Sequence, residues 1–231
     1  MIGNADRTNK SKALTDSTDQ VAAFDVLYER ILSSQYVPGE RLTIERVSRD
    51  IGFGVTATRY AIKRLCAVGG LRTLPNRTVE VPSLTRTEFS NIITVLQELE
   101  IECIRRIVLA PTAINVHRLE TTLHAYRSCL DKADYAAVRE LAIAFWFELY
   151  SMAQSPSLMT MIEMAWLQVG PRLSLLHRVG KQQRFDWAEK RRTVFEEIVA
   201  ALKRRDYEGG ASAVRAMMAH HTEWYTAIEG A

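Results

Sequence analysis

Residues 51–79 have the side chains best suited to a chemical task, and that task is binding a polyanion. This stretch contains no acidic residue and five basic ones, which are Arg59, Lys63, Arg64, Arg72 and Arg77. Double-stranded DNA presents one negative charge for about every 1.7 Å of its axis, so it attracts an acid-free basic surface. The chain as a whole has a net charge of only +3, so any affinity for nucleic acid must come from this local cluster.

Two helices must position these cations. The first is predicted over residues 44–50, with Thr43 as its N-cap and Gly52 at its end. The second is predicted over residues 56–67, after the turn Gly52-Phe53-Gly54. Its spacing places Thr58, Ile62, Leu65 and Cys66 on a packed side, and Thr56, Arg59, Tyr60 and Lys63 on the opposite, outward side.

A short hairpin is predicted to follow the second helix. Residues 71–74 and 79–81 alternate like two strands, and Pro75-Asn76-Arg77 forms the tip between them. A helix, a turn, a second helix and a hairpin in this order predict a winged helix-turn-helix. This arrangement favours a DNA-binding protein.

The outward side of the second helix is the predicted DNA-reading surface. Arg59 is expected to read a base, because the paired donors of arginine match the two acceptors of guanine in a groove about 12 Å wide. Thr56 can meet phosphate or a base edge, and Lys63 continues the same face. Arg77 in the wing can reach phosphate or the minor groove, and Arg72 is a weaker phosphate candidate. The residues alone leave open a solvated basic face or a protein-binding winged helix.

Size and composition favour two domains. The chain has 231 residues and is 47% hydrophobic, which exceeds the usual single-domain length of about 100 to 150 residues. We predict a flexible arm over residues 1–18, the winged helix-turn-helix over 19–82, and an all-helical domain over 83–231. The fold class is mainly α with a small β-wing. The first helix is expected over residues 21–33, and six helices are expected after residue 83, over residues 87–109, 113–132, 135–153, 158–176, 185–205 and 208–228.

No membrane, secretory or disulfide signature is present. Residues 1–20 are polar and lack the apolar core of a signal peptide, and no stretch reaches the roughly 20 apolar residues of a membrane helix. The three cysteines are odd in number and far apart. These features favour a cytoplasmic protein. No nucleophile, zinc-protease, phosphate-loop or dinucleotide motif occurs, so we do not expect an enzyme.

The segment from Leu27 to Val81 resembles the amino-terminal domain of GntR-family transcription regulators. The shared blocks are PGERL, the helix LTIERVSRDIG, the recognition helix TRYAIKRL with its following GL pair, and the PNR wing. The helical remainder, including VLQELE and IVAALKRRD, is similar to the FCD domain of the FadR-like subgroup. The resemblance matches Arg59 to the family's recognition-helix arginine, Thr56 to the polar residue before it, and Arg77 to the wing.

Two positions depart from the family pattern. Val55 stands where the family usually has an arginine, and Thr78 stands where its wing usually has glycine. Loss of the first arginine removes a charge-assisted contact to phosphate or base, so the operator sequence is not expected to follow the family.

The resemblance also implies a metal site, which this sequence lacks. Many FCD domains bind a divalent metal through one aspartate and three histidines, and the metal holds a carboxylate effector. Here Ala142 replaces the aspartate, and Trp146 and Phe195 replace two histidines, which leaves His220 or His221 as the last match. One imidazole does not make a tight site, so we expect no metal and no cofactor.

Any effector is therefore expected to bind through apolar contacts and hydrogen bonds. Trp146 and Phe195 are predicted to line its pocket together with His220. Arg172 is a candidate anchor for a carboxylate or phosphate, although an exposed or paired arginine is an equal alternative. A further possibility is that the aromatic side chains fill the pocket, and the domain then only dimerises.

The sequence thus predicts a ligand-responsive transcription repressor. It would bind a short inverted repeat in double-stranded DNA as a homodimer, with a carboxylate or another metabolite as effector. The alternative is a winged-helix interaction or dimerisation module that reads no specific DNA. Val55 and Thr78 are the features that favour this alternative.

Overall fold

A computed structural model of the chain describes residues 5–75, 78–173, 175 and 181–229. It divides into two compact units, Met1–Leu84 with Gly170–Arg172, and Thr85–Val169 with Leu173–Ala231. The described residues form helices and one small three-stranded sheet, so the predicted mainly α fold class is confirmed. No described helix is long and apolar enough to cross a membrane.

Helix α1 of the first unit spans Ala5–Leu32 and is much longer than predicted. Its buried residues Ala23, Leu27 and Ile31 lie four apart and form one apolar face. The helix also covers most of the segment predicted as an arm. That segment has no apolar periodicity, but residues 5–20 contain neither glycine nor proline to stop a helix.

Helices α2 (Ile44–Ile51) and α3 (Val55–Ala67) form the helix-turn-helix. The backbone N–H of Arg46 donates to the Thr43 hydroxyl at 3.2 Å, which confirms the predicted N-cap. Gly52 ends α2 with φ of +77° in the left-handed region, where a side chain would be strained. Helix α3 begins one residue earlier than predicted, after Gly54.

Three short strands form the wing and its support. They are β1 (Arg41–Leu42), β2 (Arg72–Thr73) and β3 (Val79–Glu80), in the order β1-β3-β2 with both pairings antiparallel. The register places Val79 opposite both Leu42 and Thr73. The predicted hairpin is therefore present, and β1 at Arg41–Leu42 adds a third strand to it. Asn76 and Arg77 lie outside the described residues.

All six helices predicted for the second unit are present. Their bounds are α4 (Arg86–Leu109), α5 (His117–Asp131), α6 (Tyr135–Met152), α7 (Pro156–Leu173), α8 (Lys181–Arg204) and α9 (Tyr207–Glu229). Thr85 and Glu88 begin α4 with a reciprocal capping box. Helix α5 starts later than predicted, because the Asn115 side chain accepts a hydrogen bond from the His117 N–H at 3.0 Å and forms a turn there.

Candidate functional site

The outward side of α3 is the first candidate site, and packing of its inner side fixes its direction. Thr58 and Leu65 are fully buried, and Ile62 is 6% exposed. Thr56 and Arg59 lie on the opposite side and are exposed, as are Tyr60 and Lys63. The predicted sides of this helix are confirmed for these residues, whereas Cys66, also predicted on the inner side, is only half-buried.

The five basic residues of this region have different surroundings. Among the described residues, Arg59 and Lys63 form no ion pair. The Arg64 guanidinium lies over the Phe24 ring of α1 at 3.9 Å from its centroid, so it contributes to packing. Arg72 pairs with Glu80 at 2.5 Å, which partly neutralises its charge. Arg77 lies outside the described residues, as stated above.

The amino terminus of α3 adds positive potential to the same surface. Its N-cap is Gly54, which supplies no side-chain hydrogen bond, and the first turn contains no acidic residue. The first backbone N–H groups of a helix lack intrahelical partners, and the helix dipole makes this end favourable for an anion. This end of α3 can therefore receive a phosphate group.

The second candidate site is a cavity inside the helical unit. Its volume is about 30 Å³ and it is lined by Arg139, Ala142, Ile143 and Trp146 of α6, Trp166 and Leu173 of α7, Arg191 of α8, and His221 of α9. A volume of this size has room for one or two water-sized groups. It is about a tenth of the smallest typical pocket for a drug-sized ligand.

The structure brings only part of the predicted effector site to this cavity. Trp146 lines it, whereas Phe195 is fully buried beside it, stacked on Phe145 at 3.8 Å and edge-on to Trp146. His220 does not line the cavity, because adjacent helical residues point about 100° apart and His221 faces it instead. Arg172 is half-buried in the first unit and is not among the lining residues.

The residues at the expected metal positions do not fit a metal ion. Ala142, Trp146 and His221 lie on the same cavity, which agrees with the positions that the resemblance assigned. Only His221 has a ligand atom, since neither alanine nor tryptophan coordinates a metal. Among the residues that the structure describes, no group of three histidine, cysteine, aspartate or glutamate side chains can hold an ion.

The cavity instead has cationic and polar groups that the sequence did not single out. Arg191 is 8% exposed, and its guanidinium lies 5.6 Å from the centroid of the Trp187 ring. The Nε atom of Arg139 is buried without a hydrogen-bond partner among the described residues. Neither arginine forms an ion pair within the described part of the chain. Each arginine has charged neighbours along its helix, so the sequence did not indicate that these two side chains face inward.

His221 completes the polar lining as a neutral imidazole. It is 2% exposed, and its ring stacks in parallel on Trp187 at 5.9 Å. Burial, followed by the positive charge of Arg191, lowers the pKa of His221 to about 3. Its Nδ1 atom is buried and has no hydrogen-bond partner among the described residues. One face of the cavity therefore offers an unused polar atom.

Comparison with known proteins identifies the family. Residues 91–223 match the FCD domain family, which is more than half of the chain. The chain belongs to the GntR family of transcription regulators, in its FCD-domain group. The FCD domain contains every residue that lines the cavity, and helices α1 to α3 lie before it. The chain is accordingly a DNA-binding transcription regulator with an effector-binding domain.

Individual relatives agree with this assignment. The chain is 27% identical to the HTH-type transcriptional regulator McbR of Escherichia coli (strain K12) over 174 residues, which are 74% of this chain and 76% of McbR. The structure of E. coli McbR/YncC has a TM-score of 0.80 at 22% identity and covers 90% of this chain and 97% of its own. A GntR transcriptional regulator from Rhodococcus sp. RHA1 has a TM-score of 0.72 at 17% identity, with 90% and 98% covered. These two structures show that the fold is shared.

Proposed function

We propose that the chain represses transcription by binding an inverted repeat through the outward side of α3. The observation that supports this most is the combination of two exposed and unpaired cations, Arg59 and Lys63, with a helix end that has no side-chain cap. Arg59 reads a base in the major groove, and Lys63 contacts phosphate. Thr56 lies in the first turn of the helix, where it contacts phosphate or a base edge.

The wing contributes weaker contacts in this proposal. Arg77 reaches phosphate or the minor groove from the tip of the hairpin. Arg72 contributes least, because its pairing with Glu80 already partly neutralises its charge. The chain acts as a homodimer in the cytoplasm, since a two-fold protein matches a two-fold operator. The effector binds in the FCD domain and changes operator affinity by favouring one of two conformations.

A second function, a protein-interaction module, is favoured by the apolar residues on the same helix. Val55 is 46% exposed at the position where the family usually has an arginine, and Tyr60 is 41% exposed. Exposed apolar side chains of this kind are typical of protein contacts. The two functions differ in their dependence on Arg59.

Selection of genomic fragments by the purified protein at about 150 mM salt tests the proposal, because weak non-specific phosphate binding is suppressed there. We expect enrichment of an inverted repeat. Arg59→Ala should lower affinity for that repeat by about 1 to 3 kcal/mol and relax its base preference. The matched control is Arg215→Ala, which removes an exposed arginine of α9 and should bind normally. No enrichment, or equal binding by Arg59→Ala, would favour the interaction module.

A further inference from the structure

The cavity of the FCD domain concentrates positive charge without any carboxylate to balance it. Arg139 enters from α6 and Arg191 from α8, and His221 faces them from α9. The neighbouring Arg192 shows the usual alternative, since its guanidinium pairs with Glu189 at 2.6 Å and with Glu196 at 2.5 Å. No described acidic residue lines the cavity.

The Tyr126 side chain hydrogen-bonds Arg191 and the Trp187 ring lies beside it, but no described carboxylate balances the charge of this buried guanidinium. Removing an ion from water costs several kcal/mol in a protein interior unless an opposite charge and hydrogen bonds replace the water. Arginine cannot lower this cost by losing its proton, because its pKa exceeds about 12. An anion that enters the cavity therefore gains favourable interactions with the half-buried Arg139 and the buried Arg191.

The size and chemistry of the cavity select one class of anion. Arginine forks form two parallel hydrogen bonds with the two oxygens of a carboxylate. The cavity has space for one or two water-sized groups, which matches the two oxygens of a carboxylate. Trp146 and Trp166 form apolar walls that can contact a short apolar tail. His221, with its proton on Nδ1, can donate a further hydrogen bond.

We propose that the FCD cavity binds the carboxylate group of a small organic monoanion directly between Arg139 and Arg191, with no metal ion as intermediary. The two guanidinium groups then provide the positive charge that a metal provides in other FCD domains. This inference rests on the proposed effector response, and it names the residues that hold the carboxylate where the metal ligands are missing. A ligand larger than the cavity must displace its walls, which supplies a differential interaction between two conformations.

Titration calorimetry and thermal unfolding with sodium acetate test this inference. Sodium chloride at the same ionic strength and sodium phosphate are the comparison anions, and zinc chloride is the comparison metal. We expect acetate to bind one site per chain and to raise the melting temperature with concentration. We expect phosphate, chloride and zinc to give no comparable stabilisation.

Two variants connect the response to the arginines. Arg139→Met and Arg191→Met should weaken acetate binding by about 10- to 100-fold, the loss expected for a charged hydrogen-bonded pair. Arg215→Met, on the exposed side of α9, should bind acetate as the parent does. Without acetate, Arg139→Met should melt at the same temperature as the parent or higher, because it removes an uncompensated charge. A lower melting temperature for this variant would indicate a merely structural arginine.

The remaining outcomes overturn the inference or separate it from the proposed function. Equal acetate binding by parent and both methionine variants, or stabilisation by phosphate, chloride or zinc in place of acetate, would overturn it. Operator selection is measured on the same preparations without acetate. If the parent binds acetate but no operator, the proposed repressor is contradicted and the anion site stands. If the parent binds an operator but no acetate, only the anion site is contradicted.

Discussion

The outward side of α3 and the cavity of the FCD domain both contain arginines without an ion pair among the described residues, but their surroundings differ. Arg59 is exposed, so water solvates its charge and the absence of a partner costs little. Arg191 is 8% exposed, and a hydrogen bond with Tyr126 and contact with Trp187 do not replace a counter-charge, so the absence of an ion pair is costlier there. An unpaired charge therefore indicates a ligand far more strongly when it is buried. The DNA surface needs the family assignment to support it, whereas the cavity is indicated by its own energetics.

The largest effect is expected from placing an anion inside the cavity by mutation. Ala142→Asp introduces a carboxylate on the wall of the cavity that both arginines line, and the cavity volume of about 30 Å³ is close to what that group requires. Removing one partner of a buried ion pair costs about 3 to 5 kcal/mol, because it leaves an uncompensated charge. Since this variant supplies a missing partner, we expect the free energy of unfolding to rise by up to about 3 kcal/mol. Acetate binding should also disappear. Denaturant unfolding with and without acetate measures both effects.

Ala144→Asp is the matched control for this variant, since Ala144 is exposed on the same helix. It should change the free energy of unfolding by less than about 0.5 kcal/mol and retain acetate binding. If Ala142→Asp destabilises the protein instead, the arginines do not need a counter-charge, and the comparison between the two sites fails.

Local signals made the DNA-binding unit predictable. The Thr43 cap, the Gly52 turn and the spacing of apolar residues in α3 each act within a few residues, so the sequence shows them directly. The early start of α1 at Ala5 was not predictable from spacing, because residues 5–20 have no apolar face. The absence of glycine and proline from residues 5–20 permits the longer helix but does not by itself predict it.

The cavity was only partly predictable, for a different physical reason. Trp146 was identified by position, but Arg139 and Arg191 are on separate helices and resemble the many surface arginines around them. The choice between His220 and His221 depends on the rotation of α9, which the sequence does not fix. Long-range packing determines which charged residue faces inward, and no short motif records it.

Glu100 sharpens the comparison, because it is a buried charge-bearing group that can neutralise itself. It is fully buried on α4, where the Tyr150 hydroxyl donates to its Oε1 atom and the Trp166 Nε1–H donates to the Tyr150 oxygen at 2.9 Å. Burial raises the pKa of Glu100 to about 8, against the opposing effect of the Tyr150 hydrogen bond. A carboxyl can thus escape the cost of burial by keeping its proton, which a guanidinium cannot do.

This difference predicts a pH dependence of stability. Between the unfolded pKa of 4.5 and the folded pKa of about 8, the folded state holds a proton that the unfolded state has released, so stability falls as pH rises. His221 releases its proton in the unfolded state near pH 6.5, which slightly raises stability at the low end of this range, equally in the parent and in Glu100→Gln. We expect the parent to lose about 1 to 2 kcal/mol between pH 6.5 and 8 through this group, and Glu100→Gln to lack that loss.

Denaturant unfolding at several pH values in this range measures the difference. The matched control is Glu98→Gln, an exposed carboxyl on the same helix, which should retain the parent's slope. Identical slopes for the parent and Glu100→Gln would show that Glu100 is ionised in the folded protein. The cavity arginines would then have an internal negative charge in their domain, and the argument for an added anion would weaken.

The smallest effects are expected from two adjacent cations on α3, and they test the exposed half of the comparison. Lys63 is exposed and unpaired within the described residues, whereas the Arg64 guanidinium lies on the Phe24 ring at 3.9 Å. Lys63→Ala should weaken binding to all DNA sequences alike and lower the salt slope of affinity by about one, with stability unchanged. Arg64→Ala should leave the salt slope unchanged and lower the free energy of unfolding by about 0.5 to 1 kcal/mol.

DNA titrations between about 50 and 200 mM salt, with denaturant unfolding of both variants, separate the two roles. Equal loss of salt slope in both variants would mean that the five basic residues act as one diffuse charge rather than as individually placed contacts.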